Sequence, residues 1–384
     1  MGEETRGPAV SPPGNRHGNL YAHRTGAREN LREGAMAGGF LKTSAKGNSQ
    51  RYRLFFGLSV LITACLFSET LPALDITPFN TKNLSPVVQI YGLPSAGNAI
   101  LLPPGHKEFN VTLDHSSNYV EDSNAREQIL LDGETTRMTL GGRYGLSKNV
   151  ELGVEIPYIV HSGGFLDGFI INYHDSFGFP QGGRDKAPRN RLLYRYSLDG
   201  VEKLKIDSSS NGLGDIGLTA GLQIYHDAQE YPRAVALRAS VKLPTGDSAS
   251  LHGSGSTDFS FLIAASDDYK LPLGHGTVFA AAGLMVMTKG DILPEQQRNH
   301  VGFGSLGAGW NPLSWLAFKV QMNAHTPFYG DSSLKALSAN AAQLLIGGTL
   351  GLSERTTLDI AVSEDIATTT SPDVAFHFNL STRF

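Results

Sequence analysis

From residue 109 to the end of the chain, apolar and polar side chains trade places at every second position, segment after segment. Phe109, Val111 and Leu113 alternate with Asn110, Thr112 and Asp114. Val150, Leu152, Val154, Ile156 and Tyr158 alternate with Glu151, Gly153 and Glu155, and Val235, Leu237, Ala239, Val241 and Leu243 with Ala236, Arg238, Ser240 and Lys242. Successive side chains of a strand point to opposite faces, so each segment is a strand with one apolar and one polar face. The pattern predicts twelve strands, the others at 137–144, 216–225, 259–265, 278–286, 306–310, 316–324, 344–352, 358–362 and 375–384. Short connections (146–149, 227–233, 311–314, 353–355) alternate with long ones (119–128, 160–211, 244–257, 288–298, 327–340). An even strand number with short turns at one end and long loops at the other predicts an all-β fold, a transmembrane antiparallel β-barrel of about twelve strands. The apolar faces would meet lipid, the polar faces would line the lumen, and closure would leave no unpaired edge in the bilayer. Tyr144, Tyr158 and Trp310 fall near strand ends, where an interfacial aromatic belt belongs.

The polar parity carries Arg143, Arg238, Lys242, Lys319, His325, Asp359, His377 and Arg383. A packed β-sandwich core would exclude these groups, whereas a barrel lumen accommodates them. Seven of them, Arg238, Lys242, Lys319, His325, Asp359, His377 and Arg383, are the lumen-lining candidates. They predict either a charged ring that selects solutes or an internal salt-bridge network that fills the barrel.

Two stretches depart from the strand rhythm. Residues 74–105 are irregular and rich in Pro and Gly, which forbids a long helix or strand there; this stretch either plugs the lumen or hangs in the periplasm. Inside the long connection 160–211, Leu166, Phe169, Ile170, Tyr173 and Phe177 fall at helical spacing. They predict a helix over 166–177, with Asp167 in its first turn and Gly178 as the terminating residue, its apolar face on the barrel mouth or the outer leaflet. A basic stretch follows with Arg184, Lys186, Arg189 and Arg191, then a hairpin over 192–198 and 201–206. The candidate residues of this extracellular insertion are Asp167, His174, Asp175, Arg184, Lys186 and Arg189. Its guanidinium groups suit lipopolysaccharide phosphates, and the bland alternative is a solvated loop on an acidic protein.

Composition adds an address. The 14-residue apolar run 54–67 is too short for a bilayer span of about 20 residues; Lys42, Lys46, Arg51 and Arg53 precede it, and Leu71-Pro72-Ala73 supplies a small residue for cleavage. The chain therefore divides into a polar, basic extension at 1–53, with Met36 the better initiator, a signal-peptide core and cleavage region at 54–73, the irregular 74–105, and the barrel at 106–384. Ile62-Thr63-Ala64-Cys65 also fits a lipoprotein box, with Leu66 and Phe67 then opening an apolar mature chain. Cleavage after residue 73 removes nine basic and five acidic residues from totals of 32 and 36, leaving a net charge of −8. An acidic exported chain is a poor ligand for nucleic acid. Charged residues are 18% and Gly numbers 44, as suits strands and turns.

The final strand places Phe376, Phe378, Leu380, Thr382 and Phe384 on one face and stops on the aromatic. This ending resembles the C-terminal signal of bacterial outer-membrane barrels, which implies the barrel-assembly machinery as a partner. Its even position in the count returns Phe384 to the periplasmic side, beside the Phe109 strand. Gly163–Asn190 (GGFLDGFIINYHDSFGFPQGGRDKAPRN), Asn83–Pro94 (NLSPVVQIYGLP), Gly212–Asp215 (GLGD) and Ser363–Ile366 (SEDI) are similar to a proteobacterial family of exported barrels, domain of unknown function 3187. That resemblance implies fold and location and brings no site residues. A second likeness, through Leu243–Asp247 (LPTGD), is to barrels encoded with phenol-degradation pathways.

Chemical motifs are sparse. His174-Asp175, with Asp167 seven residues before His174 on the same helical face and His161 nearby in sequence, make an incomplete metal set, and neither a metal nor a cofactor is expected. His161-Ser162 and His325 are the pieces available to a membrane-embedded hydrolase, but no G-x-S-x-G or P-loop accompanies them. Gly253–Ser256 (GSGS) reads as a flexible loop tip. The expected function is a monomeric, non-enzymatic outer-membrane channel or uptake pore for a small solute. The rivals are a surface-interaction barrel acting through its loops and, behind it, the hydrolase.

Overall fold

A computed structural model describes residues 74–384, apart from 179–180 and 367–369. The expected extension at 1–53 and signal region at 54–73 lie outside the described residues. The chain forms β1 (Lys107–Ser123), β2 (Glu127–Ser147) and β3 (Val150–Ser162), then an insertion with α1 (Asp167–Phe177), β4 (Leu193–Leu198), β5 (Val201–Ile206) and β6 (Ser210–Leu213). The remaining strands are β7 (Ile216–Asp227), β8 (Arg233–Leu243), β9 (Asp258–Lys270), β10 (His275–Met287), β11 (His300–Leu313) and β12 (Leu316–His325). The short helix α2 (Lys335–Ser338) precedes β13 (Ala341–Gly351), β14 (Thr356–Asp365) and β15 (Val374–Arg383).

Twelve of these strands pair antiparallel with their neighbours in the order β1-β2-β3-β7 and onward to β15, which pairs back with β1 and closes the barrel. The closing register sets Phe109 opposite Thr382, and Lys107 and Phe384 exchange both backbone hydrogen bonds (3.0 and 2.9 Å). The outward parity is exposed and apolar, as at Phe109, Leu140, Phe261, Ile346, Phe378 and Leu380, while Ala375, His377 and Asn379 of the same last strand are buried inside. A closed wall with such a belt is the outer-membrane type of barrel. The short connections gather at one end of the barrel, the turn end, and the insertion and long connections at the other, the loop end.

The insertion is built as its pattern predicts. α1 ends at Gly178, whose left-handed backbone (φ 72°) lets its N–H cap the His174 carbonyl. The β4–β5 hairpin docks on β2, and β6 on β3. The structure corrects one connection: 119–128 is not a long loop. β1 and β2 continue in register to Ser123 opposite Gln128, around the turn 124–126. The lipid-facing alternation stops there because the hairpin rises beyond the apolar belt; β2 exchanges β3 for β4 as its neighbour, and Val120, Ile129 and Leu131 are buried in the apolar cluster of the loop end.

Residues 74–105 run through the lumen and back. Leu74 lies against Gly351 at the turn end, Phe79 packs with Leu345 and Ala361, and Asn83 reaches His325 at the loop end. One helical turn follows, in which Val88 and Gln89 donate to the Ser85 carbonyl (both 2.9 Å). The chain then descends past Lys242 and Arg238 to the turn end, where Gly105 donates to the Gly145 carbonyl (2.8 Å).

The tip of this excursion is sealed by the main hydrophobic cluster. Val87, Val88, Ile90, Tyr91 and Leu93 pack with Leu251, Leu293, Phe328, Tyr329, Leu334 and Leu337 from three loops. Tyr91 stacks on Phe328 (4.9 Å between centroids), and the Tyr329 hydroxyl donates to the Val87 carbonyl (2.8 Å). Leu251 and Leu293 both hold left-handed backbones (φ 56° and 47°), a cost of about 1–3 kcal/mol each, with side chains 0% and 3% exposed in the cap. Apolar burial is what offsets that strain.

Candidate functional site: a chamber inside the barrel

An irregular segment inside a barrel brings backbone groups that no ladder satisfies, and buried N–H and C=O groups must find partners. The inward charges of the wall supply them. Lys319 Nζ donates to the Thr77 carbonyl (3.0 Å) and to Asp359 Oδ1 (2.8 Å), and lies 4.1 Å from the centre of the Phe79 ring. Asp359 also accepts from Thr349 (2.6 Å) and Asn379 (3.3 Å). Arg238 donates to the Asn98 carbonyl through Nε and Nη2 (2.9 and 2.8 Å) and to Glu151 through Nη1 (2.9 Å). Arg383 bonds Glu108 (2.8 Å) and Asp75 (2.7 Å). Lys242 pairs with Asp215 (2.6 Å) and Asp258 (3.2 Å) and donates to Ser254 and to the Ile90 carbonyl (3.4 Å). Asn83 Nδ2 donates to His325 Nε2 (2.9 Å), whose Nδ1 donates to the Thr326 carbonyl (2.9 Å). His377 Nδ1 meets Asp114 Oδ1 (2.7 Å), which also accepts from Thr81 (2.9 Å).

All seven lumen candidates are therefore inside the barrel, and all seven have partners. Of the two arrangements expected for them, they form the internal network rather than a free ring of charge. Five of them bond residues 75–98 of the segment directly, Lys242 through the Ile90 carbonyl, and His377 reaches it through the Asp114–Thr81 link.

The segment does not fill the barrel. A chamber of about 340 Å³ remains between it and the wall, bounded by turn residues such as Ser314 and Glu354 at one end and by Asp215 and His252 toward the other. Its wall is low where β2, β3 and β7 present Gly141, Gly153 and Gly217 inward. Lys82 of the segment, Arg137 of β2 and Glu155 of β3 all line it. Among the described residues neither Lys82 nor Glu155 makes a hydrogen bond or ion pair, and Arg137 has one weak contact, Nη1 to the Gln89 carbonyl at 3.5 Å. Gln89 lines the same chamber, is 2% exposed, and has neither amide atom bonded. A buried polar group without a partner costs about 1–3 kcal/mol, so this set is poised for a molecule that supplies one. Arg137 and Glu155 sit on the polar parity of strands legible in the sequence. Lys82 lies in a stretch without periodicity, and no sequence signal orients it.

The insertion residues take different roles. Arg184 is buried, donating to Asp167 (2.5 Å), Asp373 (2.5 Å) and Ser117 (2.9 Å), and Arg191 pairs with Asp132 (2.6 Å). This corrects the picture of one exposed basic stretch, free for lipopolysaccharide or solvent: Arg184 clamps the insertion to β1 and to the residue before β15, and of the loop candidates with basic side chains Lys186 and Arg189 are exposed. Asp167 also accepts from the Asn190 N–H (2.7 Å), and Asp175 from Gln181 (2.7 Å). His174 stands in the last turn of α1, its ring 6.2 Å from that of Tyr173.

A second correction concerns Gly253–Ser256, which is not a flexible tip. Ser254 and Ser256 are fully buried around Lys242, and Ser254 N donates to Asp215 (3.1 Å). Nor do the histidines form hydrolytic pairs with Ser162. His161 meets Thr135 (2.9 Å) and the Leu251 carbonyl (3.2 Å), and stacks on His252 (5.7 Å). Burial pushes the His252 imidazole below its usual range, with Asp247 opposing.

With the geometry described, comparisons add a family. A family profile described as "Protein of unknown function (DUF3187)" matches residues 54–384. No curated protein matches the chain. Among solved structures, the COG4313 outer membrane channel from Pseudomonas putida F1 is similar at 12% identity and a TM-score of 0.48, covering 75% of this chain and 98% of that one. The translocator domain of autotransporter NalP from Neisseria meningitidis shows 11% identity and a TM-score of 0.34, covering 74% and 90%. The toluene transporter TbuX of Ralstonia pickettii shows 9% identity and a TM-score of 0.32, again covering 74% and 90%.

Proposed function

Because this chain belongs to the DUF3187 family, a family of unknown function, we propose from its own lumen that it is an outer-membrane channel for a small solute, gated by residues 74–105. One observation carries the reading: a chamber of about 340 Å³ persists inside the closed wall, lined by polar groups that lack partners. A barrel serving only as a surface scaffold gains nothing from unpaired charge in its lumen, and filling the space with side chains would be more stable. The apolar outer belt supports residence in a bilayer, and the turn end faces the periplasm by the convention of such barrels.

In the state described, the loop end is shut. Passage requires the tip 85–88 to leave its cluster while the limbs keep their anchors on Lys319 and Arg238. The intact barrel should therefore show rare, brief openings in planar bilayers. A variant lacking 74–105 should show a large, steady conductance. No conductance from that variant, once an unboiled-versus-boiled gel shift shows it folded, would remove the channel reading. The sealed cap favours the second reading, a barrel acting through its loops, and that outcome would leave it standing.

A further inference from the structure

We infer that the chamber binds a small organic anion, its carboxylate held between Lys82 and Arg137. The inference rests on the channel reading and names the class of its solute. Apart from Lys82, Arg137, Glu155 and the turn residues Glu354 and Arg355, every Asp, Glu, Lys or Arg on the chamber wall is already ion-paired: Asp75 and Glu108 with Arg383, Arg143 and Arg238 with Glu151, Lys242 with Asp215, Asp359 with Lys319. Lys82, Arg137 and Glu155 remain, and their sum is one positive charge.

An apolar solute would displace water from all three and return nothing, the costliest occupant for such a wall. A cation would meet two positive groups and one negative. An anion that reaches both cations satisfies them at once, and guanidinium and ammonium groups lining one chamber are strong carboxylate partners because their hydrogen bonds are charge-assisted. Gln89 supplies an unpaired amide to the same space. Glu155 is flanked across the ladder by Gly141 and Gly217, which carry no side chain to cover its carboxylate. It opposes a second negative group and favours a solute with one. The chamber's volume lies within the about 300–1,000 Å³ typical of small-molecule sites.

The test is calorimetric titration of the full-length purified barrel with sodium benzoate, disodium succinate, sodium phosphate and benzyl alcohol, the last a neutral match for benzoate. Benzoate should bind saturably and at least about tenfold more tightly than benzyl alcohol. Lys82→Met and Arg137→Met should each weaken benzoate by about tenfold or more, while Glu155→Gln should tighten it severalfold. The opposite sign for Glu155→Gln separates an electrostatic site from mere structural damage, and the gel shift verifies folding of each variant. Equal binding of benzoate and benzyl alcohol, binding of phosphate alone, no binding by either carboxylate, or weaker benzoate binding to Glu155→Gln would each overturn the inference. The channel reading fails separately: a barrel that binds benzoate but never conducts loses only the channel, and one that conducts without binding loses only the anion.

Discussion

The two ends of the lumen are held by opposite chemistry. At the loop end, the tip of residues 74–105 is enclosed by leucines and aromatic rings, with Tyr91 and Phe328 stacked at its centre. Toward the turn end, the limbs are tied by charged side chains to single carbonyls and carboxylates, and a hollow remains between them. The difference separates two tasks. Directional bonds to named atoms set where the limbs lie, and a non-directional apolar seal excludes water from the tip. An apolar seal can part and re-form without leaving a charge unpaired, so the loop end is the part of the segment that can move.

The largest expected effect breaks the charged half of that contrast. Lys319→Met removes the cation beside the fully enclosed Asp359 and orphans the Thr77 carbonyl. Losing one partner of a buried pair costs about 3–5 kcal/mol, which urea unfolding in detergent would read as a lower midpoint. Replacing both partners, Lys319→Met with Asp359→Leu, should recover most of it. Equal destabilisation by the single and double variants would show that the pair does not hold the first limb.

Next in size is the apolar half. Tyr91→Ala empties the centre of the cap at about 3 kcal/mol, by analogy with other large-to-small changes in cores. Its signature should be local: hydrogen exchange across 84–91 should rise sharply while the strands β11–β14 stay protected. Exchange rising in the strands as well would mean that the cap and the wall are one unit and that the two ends do not move independently.

How much of this could be read beforehand follows from where periodicity exists. Parity alone separated His377 and Asn379 inside from Phe378 and Leu380 outside, because a wall with water-filled polar space on one side and lipid on the other imposes alternation. The same parity placed Arg238 and Lys319 in the lumen but not their partners, the carbonyls of Asn98 and Thr77, which belong to a segment with no period at all. Arg184 read as an exposed residue, on lipopolysaccharide or in solvent, because its partners Asp167 and Asp373 lie 17 and 189 residues away, at no periodic spacing. The tall β1–β2 hairpin was hidden for a related reason: above the belt neither face meets lipid, so nothing enforces apolar outward positions. Lys82, Arg137 and Glu155 were visible as charges, yet being unpaired is a property of distances that no local pattern encodes.

A smaller effect sharpens the boundary of the hollow. A Cβ added at Gly92 would stand 2.9 Å from the Lys242 Cβ, where the descending limb touches the wall, whereas one added at Gly217 meets nothing nearer than the Glu155 Cβ at 3.8 Å. Gly92→Ala should therefore cost about 1–3 kcal/mol through overpacking. Gly217→Ala should be nearly neutral in stability while reducing the space beside Glu155. Thermal unfolding of the two variants compares them directly, and equal losses would contradict a chamber that is tight at Gly92 and open at Gly217.

The smallest effect tests whether the cap is uncharged by necessity. His252 stacks on His161 beneath the loop that carries Leu251, and its Nε2 meets Ser210 (3.2 Å). Burial lowers the His252 pKa against the opposing pull of Asp247, so the folded state favours the neutral ring. A histidine with a depressed folded pKa contributes stability that is complete above its unfolded value of about 6.5 and is lost as the pH falls below it. Hydrogen exchange of 248–257 should accordingly be faster at pH 5.5 than at pH 7.5, after correction for intrinsic rates, and His252→Gln should flatten the difference. Acidification that slows exchange there would place the protonated ring in a favourable pair with Asp247, and the loop end would then be held partly by charge, as the turn end is.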